Sequence, residues 1–255
     1  MGTTTVAVVT GASRGLGFAL ASQLLASGAA VITLARNRNP DLAAIAEQQG
    51  ARLQQLQADL SQPASIESAA GLMSAALPGG ATHYVLFNNA GTVDPVSLSE
   101  GLFDAESIQQ AFNLNVVAAM VLSAAFLRST PKDADRRIVN ISSGAGRKPT
   151  AGWPVYCASK AALDHYTRVL ADENPDLRVA ALAPGVIDTA MQAHIRGSDR
   201  RQFPDLDRFL QLHEQKQLAS PESTASRILH HVASNRFGHE ILDDIRKTIA
   251  LPDHE

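Results

Sequence analysis

Apolar residues along this chain are grouped in two alternating ways. Short, continuous and often β-branched runs recur at 5–9, 30–35, 52–57, 83–87, 137–141, 178–183 and 240–242. Between them lie stretches with apolar residues at helical spacing: one through Leu20, Leu24 and Leu25, then 42–49, 63–77, 106–128, a run containing Tyr156 and Lys160, and 221–234. The run Thr5-Val6-Ala7-Val8-Val9 has no polar alternation, as expected of a strand covered on both faces in a parallel sheet. Strands alternating with helices, without a linker or repeat, predict a doubly wound α/β fold of one domain over 1–255, with a central parallel sheet of about seven strands. Residues 189–220 are too long for a simple connection, and helical stretches at 191–195 and 206–218 make them a helical excursion from the sheet.

Composition narrows the function by exclusion. A chain of 255 residues with 45% hydrophobic and 18% charged residues can bury a large core. A net charge of −3, one Trp and three Tyr supply neither the basic footprint nor the stacking platforms of a nucleic-acid binder. The longest apolar stretch, about 116–127, is interrupted by Ser123 and is short for a membrane span. The start, MGTTTVAVVT, lacks a basic region, and Val6 stands where myristoylation wants Ser or Thr. A soluble, cytoplasmic protein is the expectation. Cys157 is the only cysteine, which excludes an intrachain disulfide and suits small-residue packing. The eight His form no ligand-spaced pair, so no metal site is expected.

Candidate chemistry concentrates in SSGAGRKPTAGWPVYCASKAA, residues 142–162. Tyr156 and Lys160 are four apart in a run of helix formers, so they share a helix face. An ammonium beside a phenol favours the phenolate and lowers the pKa toward the range of general acid–base work. Ser143 lies 13 residues upstream, at the end of the apolar run 137–141, where parallel sheets place their chemistry. A lone Tyr-x-x-x-Lys reads as a surface pair; the serine at this spacing reverses that reading. Near the N-terminus, Gly11-Ala12-Ser13-Arg14-Gly15-Leu16-Gly17 follows a strand and opens a helix. Glycines there permit close approach of a pyrophosphate to the helix N-terminus. After the second strand come Arg36, Asn37 and Arg38, and the first acid is Asp41. Arg14 and Arg36 are either solvated surface residues or the bidentate donors of a 2′-phosphate site; NADP(H) is the cofactor expected.

These motifs resemble those of the short-chain dehydrogenase/reductase superfamily, whose signature is a serine about 13 residues before Tyr-x-x-x-Lys and a Gly-x-x-x-Gly-x-Gly turn after the first strand. The resemblance covers nearly the whole chain, and it implies a Rossmann fold and a set of site residues. Catalysis would rest on Asn115, Ser143, Tyr156 and Lys160. Asn115, with Asn113 as the nearby competitor, would kink its helix and hold a water beside the lysine. The cofactor would meet Gly11, Ser13, Arg14, Gly15, Leu16, Gly17, Arg36 and Asn37. Asp59, which alone reads as a cap, and Leu60 would hold the adenine. Asn89, Ala90 and Gly91, within Asn88-Asn89-Ala90-Gly91, would line the adenosine side. Tyr156 and Lys160 would reach the nicotinamide ribose, and Pro184, Gly185, Val186 and Thr189 the carboxamide. The 189–220 excursion would be the lid over the substrate. Its Met191, Gln192 and Phe203, with Trp153 and Val93 opposite, are wall candidates beside Ser143 and Tyr156, each also readable as packing.

A finer resemblance rests on combinations such as Gly-Trp-Pro-Val-Tyr-Cys and Ala-Pro-Gly-Val-Ile-Asp-Thr-Ala-Met-Gln. They look like the branch of (S)-benzoin-forming benzil reductases, itself similar to sepiapterin reductases. That implies NADPH-dependent reduction of a ketone or 1,2-diketone. Alternatives are pterin reduction, for which Asp243 or Asp244 would be needed as an anchor, another ketone substrate, or a non-catalytic NADPH-binding protein. Relatives of this kind are homodimers or homotetramers, with no nucleic-acid or membrane partner.

Overall fold

The structure, a computed structural model, describes residues 4–247. Seven strands form one fully parallel sheet: β1 (Thr5–Thr10), β2 (Ala30–Ala35), β3 (Leu53–Gln57), β4 (His83–Asn88), β5 (Asp135–Ile141), β6 (Arg178–Ala183) and β7 (Leu242–Asp244), in the order β3-β2-β1-β4-β5-β6-β7. The chain runs outward from β1 through β3, then returns to place β4 against the other side of β1. That reversal leaves a crevice above the C-terminal ends of β1 and β4.

Period-2 alternation sends one set of each strand's side chains to each helix layer. Ala7, Val9, Val85 and Phe87 pack under α1 (Gly15–Ala26), α2 (Pro40–Gln49) and α9 (Pro221–Ala233). Val6, Val8, Tyr84 and Leu86 pack under α3 (Pro63–Ala76), α5 (Ala118–Ser129) and α6 (Pro154–Glu173). Both sides of the central strands are sealed, which is why their sequences are apolar without alternation. A third cluster, Val93, Ala145, Trp153, Tyr156, Ile195, Phe203, Leu206 and Phe209, lies above the C-terminal edge of the sheet. It joins α7 (Ala190–Arg196) and α8 (Leu206–Glu214) to the rest.

Several boundaries differ from the pattern-based expectation. The helix expected at 106–128 is three pieces, α4 (Ala105–Phe112), a π-helical turn Asn113–Val117, and α5. Together they span Ala105–Ser129, 25 residues with a window of mean hydropathy 1.6, long and apolar enough to cross a membrane by composition alone. The apolar stretch is thus longer than the 116–127 run implied. Half of that window is buried, and Leu122, Ser123 and Phe126 are sealed in the core, so it is a core helix of this fold. The lid helix expected at 206–218 stops at Glu214, with Lys216 at φ 53 after it. The last strand lies two residues later than 240–242, because Leu242–Asp244 pair with Ala181–Ala183.

A buried polar chain crosses the centre of the sheet. Asn88 Nδ2 donates to Ser123 Oγ (3.1 Å) and Asn140 Oδ1 (2.8 Å), and Asn140 Nδ2 donates to Thr167 Oγ1 (2.9 Å). Asn140 and Thr167 are fully buried, so removing one member strands its neighbours. Asn140→Leu is expected to lower stability by about 2–3 kcal/mol, measured by urea unfolding. A loss below about 0.5 kcal/mol would show that the sheet centre accepts an apolar residue there.

Candidate active site

β5 ends at Ile141, and Ser143 turns the chain into a short 3-10 turn, Gly144–Gly146, which it caps by accepting from Ala145 N at 3.2 Å. α6 begins at Pro154, whose fixed φ suits a first helical position. Tyr156 therefore sits in its first turn and Lys160 one turn on, both buried (8% and 4% exposed). The Ser143 hydroxyl is close enough to the Tyr156 phenol to favour its ionised form. Lys160 Nζ donates to Ile141 O at 2.8 Å and lies 5.7 Å from the Tyr156 ring centre. Ser143, Tyr156 and Lys160 are thus brought together as the spacing implied.

The electrostatics differ from the simplest expectation. Burial pushes the Tyr156 phenol up, opposed by the Ser143 hydroxyl. The net shift is upward despite the neighbouring lysine, and burial also pushes Lys160 down to about 8, opposed by the Asp164 carboxylate. Desolvation outweighs pair attraction at this depth.

Asn115 stands in the π-helical turn, almost fully buried. Its Oδ1 accepts from Thr92 N (2.9 Å), and its Nδ2 donates to Thr92 O (2.9 Å) and Ser159 Oγ (3.0 Å). A Cβ on Gly91 would lie 3.1 Å from Asn115 Oδ1 and 3.6 Å from Lys160 Nζ, so these groups converge beside Gly91. Asn113 is directed elsewhere, donating to Ser61 O at 2.9 Å. Two positions apart on a helix, the two amides point to opposite faces.

The crevice above β1 and β4 is built from close backbone contacts. Gly11 has φ +68, and a Cβ on Gly17 would lie 2.4 Å from Gly11 O and 2.5 Å from Asn89 Nδ2. Thr10 Oγ1 accepts from both Asn89 N and Ala90 N at 2.9 Å, while Asn89 Nδ2 donates to Thr10 O at 2.8 Å. These bonds tie the segment after β4 to the glycine turn. Arg14, the N-cap of α1, makes no side-chain cap. Across the crevice, Thr189 Cγ2 lies 3.3 Å from a Cβ on Gly15, which brings the segment after β6 over the same turn. Pro184, Gly185 and Val186 lead to it, with Gly185 at φ +82.

Ser13, Arg14, Arg36 and Asn37 line one cleft of about 340 Å³, together with Arg38, Asn39, Pro40 and Asp41. Asp59 accepts from Ser61 N and Oγ at 3.0 and 2.8 Å; burial raises its pKa, but these bonds and the Arg36 charge outweigh that and hold it low. Leu60, its neighbour, is buried in the core.

Comparisons with known proteins show the family. The profile of the family described as short chain dehydrogenase matches residues 5–200. The chain belongs to the short-chain dehydrogenase family. It is 37% identical to a benzil reductase ((S)-benzoin forming) of Bacillus cereus, over 90% of this chain and 94% of the relative. It is 34% identical to the sepiapterin reductase of Bos taurus, over 91% of each chain. A short chain dehydrogenase from Burkholderia cenocepacia J2315, solved in complex with NADP, superposes with a TM-score of 0.73 at 28% identity, over 93% of this chain and 94% of that one.

For a short-chain dehydrogenase, the residues expected around the substrate divide unevenly. Trp153 borders Tyr156 edge-on (5.4 Å between ring centres) but is itself buried under Phe203, stacked at 4.7 Å. Phe203 and Val93 are sealed in the same cluster and serve packing. Met191 is exposed at the start of α7, and Gln192 is buried with its Oε1 unpartnered. Pattern reasoning missed Arg38, two residues beyond Arg36 and signalled by the Arg-x-Arg repeat, and also Thr92 and Ser159, whose link to Asn115 only the fold displays.

The glycine contacts give a sharp contrast. Gly17→Ala is expected to distort the turn and weaken nicotinamide dinucleotide binding at least tenfold by fluorescence titration. Gly71→Ala, in α3 with nothing within 4 Å of the added Cβ, is expected to raise stability by about 0.5–1 kcal/mol. Equal behaviour of the two variants would refute the close-approach reading.

Proposed function

We propose that this oxidoreductase reduces a ketone or 1,2-diketone with NADPH, with Tyr156 as general acid. The observation that carries this reading is the convergence of the Ser143 hydroxyl, the Tyr156 phenol and the buried ammonium of Lys160 above the end of β5. The glycine turn fits a dinucleotide, since its cradle is one that a Cβ would fill, and α1 presents its first-turn N–H groups there without a side-chain cap. Gly11, Ser13, Gly15, Leu16 and Gly17 would hold the phosphates. Asp59 and Leu60 would meet the adenine, with Asn89, Ala90 and Gly91 beside it. Pro184, Gly185, Val186 and Thr189 would hold the nicotinamide end. Arg14, Arg36 and Arg38, with Asn37, favour a 2′-phosphate, because guanidinium forks recognise one bidentately.

A bound reduced nicotinamide supplies hydride to the carbonyl carbon. Ser143 donates to the carbonyl oxygen and holds it where Tyr156 can protonate it. The Tyr156 phenol, kept protonated by burial, gives its proton to that oxygen, and the Lys160 ammonium stabilises the phenolate left behind. Asn115, fixed by Thr92 and Ser159, holds the water through which the proton is replaced.

Diketone reduction is favoured over pterin reduction by the state of two carboxylates. Asp243 pairs with His231 (2.9 Å) and Asp244 with Arg246 (2.5 Å), so neither is a free anchor for a pterin amino group. The test is NADPH oxidation with benzil, 1-phenyl-1,2-propanedione and sepiapterin side by side, with NADH and Tyr156→Phe as controls. Benzil turnover preferring NADPH, lost at least 1,000-fold in Tyr156→Phe with NADPH binding retained, is the expected result. Full activity of Tyr156→Phe would end the assignment of the acid, and an NADH preference would end that of the arginines.

Lys160 sets the pH dependence. Reduction needs its ammonium, which is present below about 8 and lost above it. The rate (kcat/KM) is therefore expected to be level from about pH 6 to 7.5 and to fall about tenfold per unit above pH 8. A profile level to pH 10 would show that the charge on Lys160 is not required.

A further inference from the structure

Asp164 stands one helical turn beyond Lys160 on α6, and only 4% of it is exposed. A carboxylate at that depth needs partners, and here they come from the two ends of one loop. Ser142 Oγ donates to Asp164 Oδ1 at 2.5 Å, and Arg147 Nε donates to Asp164 Oδ2 at 3.2 Å. Between these two holds lie Ser143 and the 3-10 turn Gly144–Gly146. The loop backbone also presses directly on the helix, since a Cβ on Gly146 would stand 2.8 Å from the carbonyl carbon of Lys160. Arg147 reaches further, donating from Nη2 to Ala181 O and Asp243 O at 3.0 Å each, which anchors it to the sheet edge.

We propose that Asp164 is a positioning residue for the reduction: its two oxygens clamp both ends of the Ser143 loop to the helix that carries Tyr156, and so set the distance between the two hydroxyls. The proposal rests on the roles given above to Ser143 and Tyr156. It goes beyond them in assigning the geometry of that pair to a residue that touches neither the carbonyl nor the phenol. Arg147 supports the clamp from the partly exposed side. The charge of Asp164 also favours the ammonium on Lys160, so the same carboxylate serves both neighbours of Tyr156.

Two measurements on the full chain test this. Hydrogen exchange read by mass spectrometry follows the amides of 145–148, which are bonded within the loop. Asp164→Asn keeps the side-chain shape and turns a donor toward Arg147. Exchange at 145–148 is expected to rise about tenfold while α6 stays protected. Arg147→Met, at a partly exposed position, makes the same measurement possible if Asp164→Asn does not fold. Unchanged exchange in both variants overturns the clamp, whatever the activity.

The kinetic arm uses benzil and saturating NADPH in a double-mutant cycle with Ser143→Ala. Asp164→Asn is expected to lower kcat about 30-fold in the wild-type background, as a misplacement of an ångström or less would, and only about two- to threefold when Ser143 is already Ala. Equal losses in both backgrounds would show that Asp164 does not act through Ser143 and would overturn the proposal. A loosened loop together with no benzil turnover by the wild type would instead refute the diketone reading and leave the clamp standing.

Discussion

A lysine ammonium buried above the end of β5 is the most demanding feature of this molecule. Moving such a cation out of water is costly unless hydrogen bonds and opposite charge replace its hydration. Lys160 has one backbone acceptor, Ile141 O, one aromatic face, Tyr156, and one carboxylate, Asp164, a turn away on its own helix. Each of these has further dependents. Asp164 draws in Ser142 and Arg147, and Ile141 and Ser142 bring Ser143 to the phenol. Gly91 eases the convergence of Asn115 and Lys160, since a Cβ there would stand only 3.1 Å from Asn115 Oδ1. Offsetting a single charge thus accounts for the arrangement of most side chains at this end of the sheet.

The other half of the site depends on backbone proximity rather than charge. With β1 and β4 adjacent in the sheet, the turn after β1 and the segment after β4 meet edge to edge. Thr10 joins them by three hydrogen bonds, two from Asn89 and one from Ala90, and Gly11 and Gly17 let them touch. Side chains are excluded there, so the recognition groups left are N–H donors and the positive end of α1, which suit phosphate. Arg36 and Arg38 lie one step outward, where the loop after β2 leaves the sheet, and Arg14 of the glycine turn lines the same cleft. Charge is placed where it can be hydrated, and bare backbone where contact must be close.

Much of this was legible in the chain because the relevant signals are local. Thr5–Thr10, the glycine turn, and Ser143 with Tyr156 and Lys160 are contiguous or helically spaced, so strand, turn and helix face follow from sequence distance. Signals that depend on long-range register were not legible. Asn113 and Asn115 fall on opposite faces of one helix, and only the tertiary packing decides that the first meets Ser61 and the second Thr92 and Ser159. The strand Leu242–Asp244 lies two residues from its expected place because its register is set by Ala181–Ala183, 61 positions earlier. The direction of the Tyr156 shift was also out of reach, since pair spacing displays the attraction between phenol and ammonium but not the depth at which both are buried.

The 189–220 segment, the expected lid, is held chiefly by aromatic packing. Beyond the backbone bridge of Ala219 to Ile187 at its root, it touches the body through two kinds of contact. His194 pairs with Asp94 at 2.7 Å, but both side chains are more than half exposed, and Gln202 bonds Ser97 and Leu98 at the surface. Exposed pairs of this kind contribute about 0–1 kcal/mol each. Phe203 and Phe209, by contrast, are buried against Trp153, with ring centres 4.7 and 5.3 Å away, and fully burying such a side chain contributes about 1.5–3 kcal/mol. The aromatic stack therefore outweighs the surface contacts. Its centre, Trp153, is also the edge-on neighbour of Tyr156. The packing that seats the lid and the packing that buries the candidate acid are one cluster, so the seat of the lid and the desolvation that keeps Tyr156 protonated cannot be altered independently.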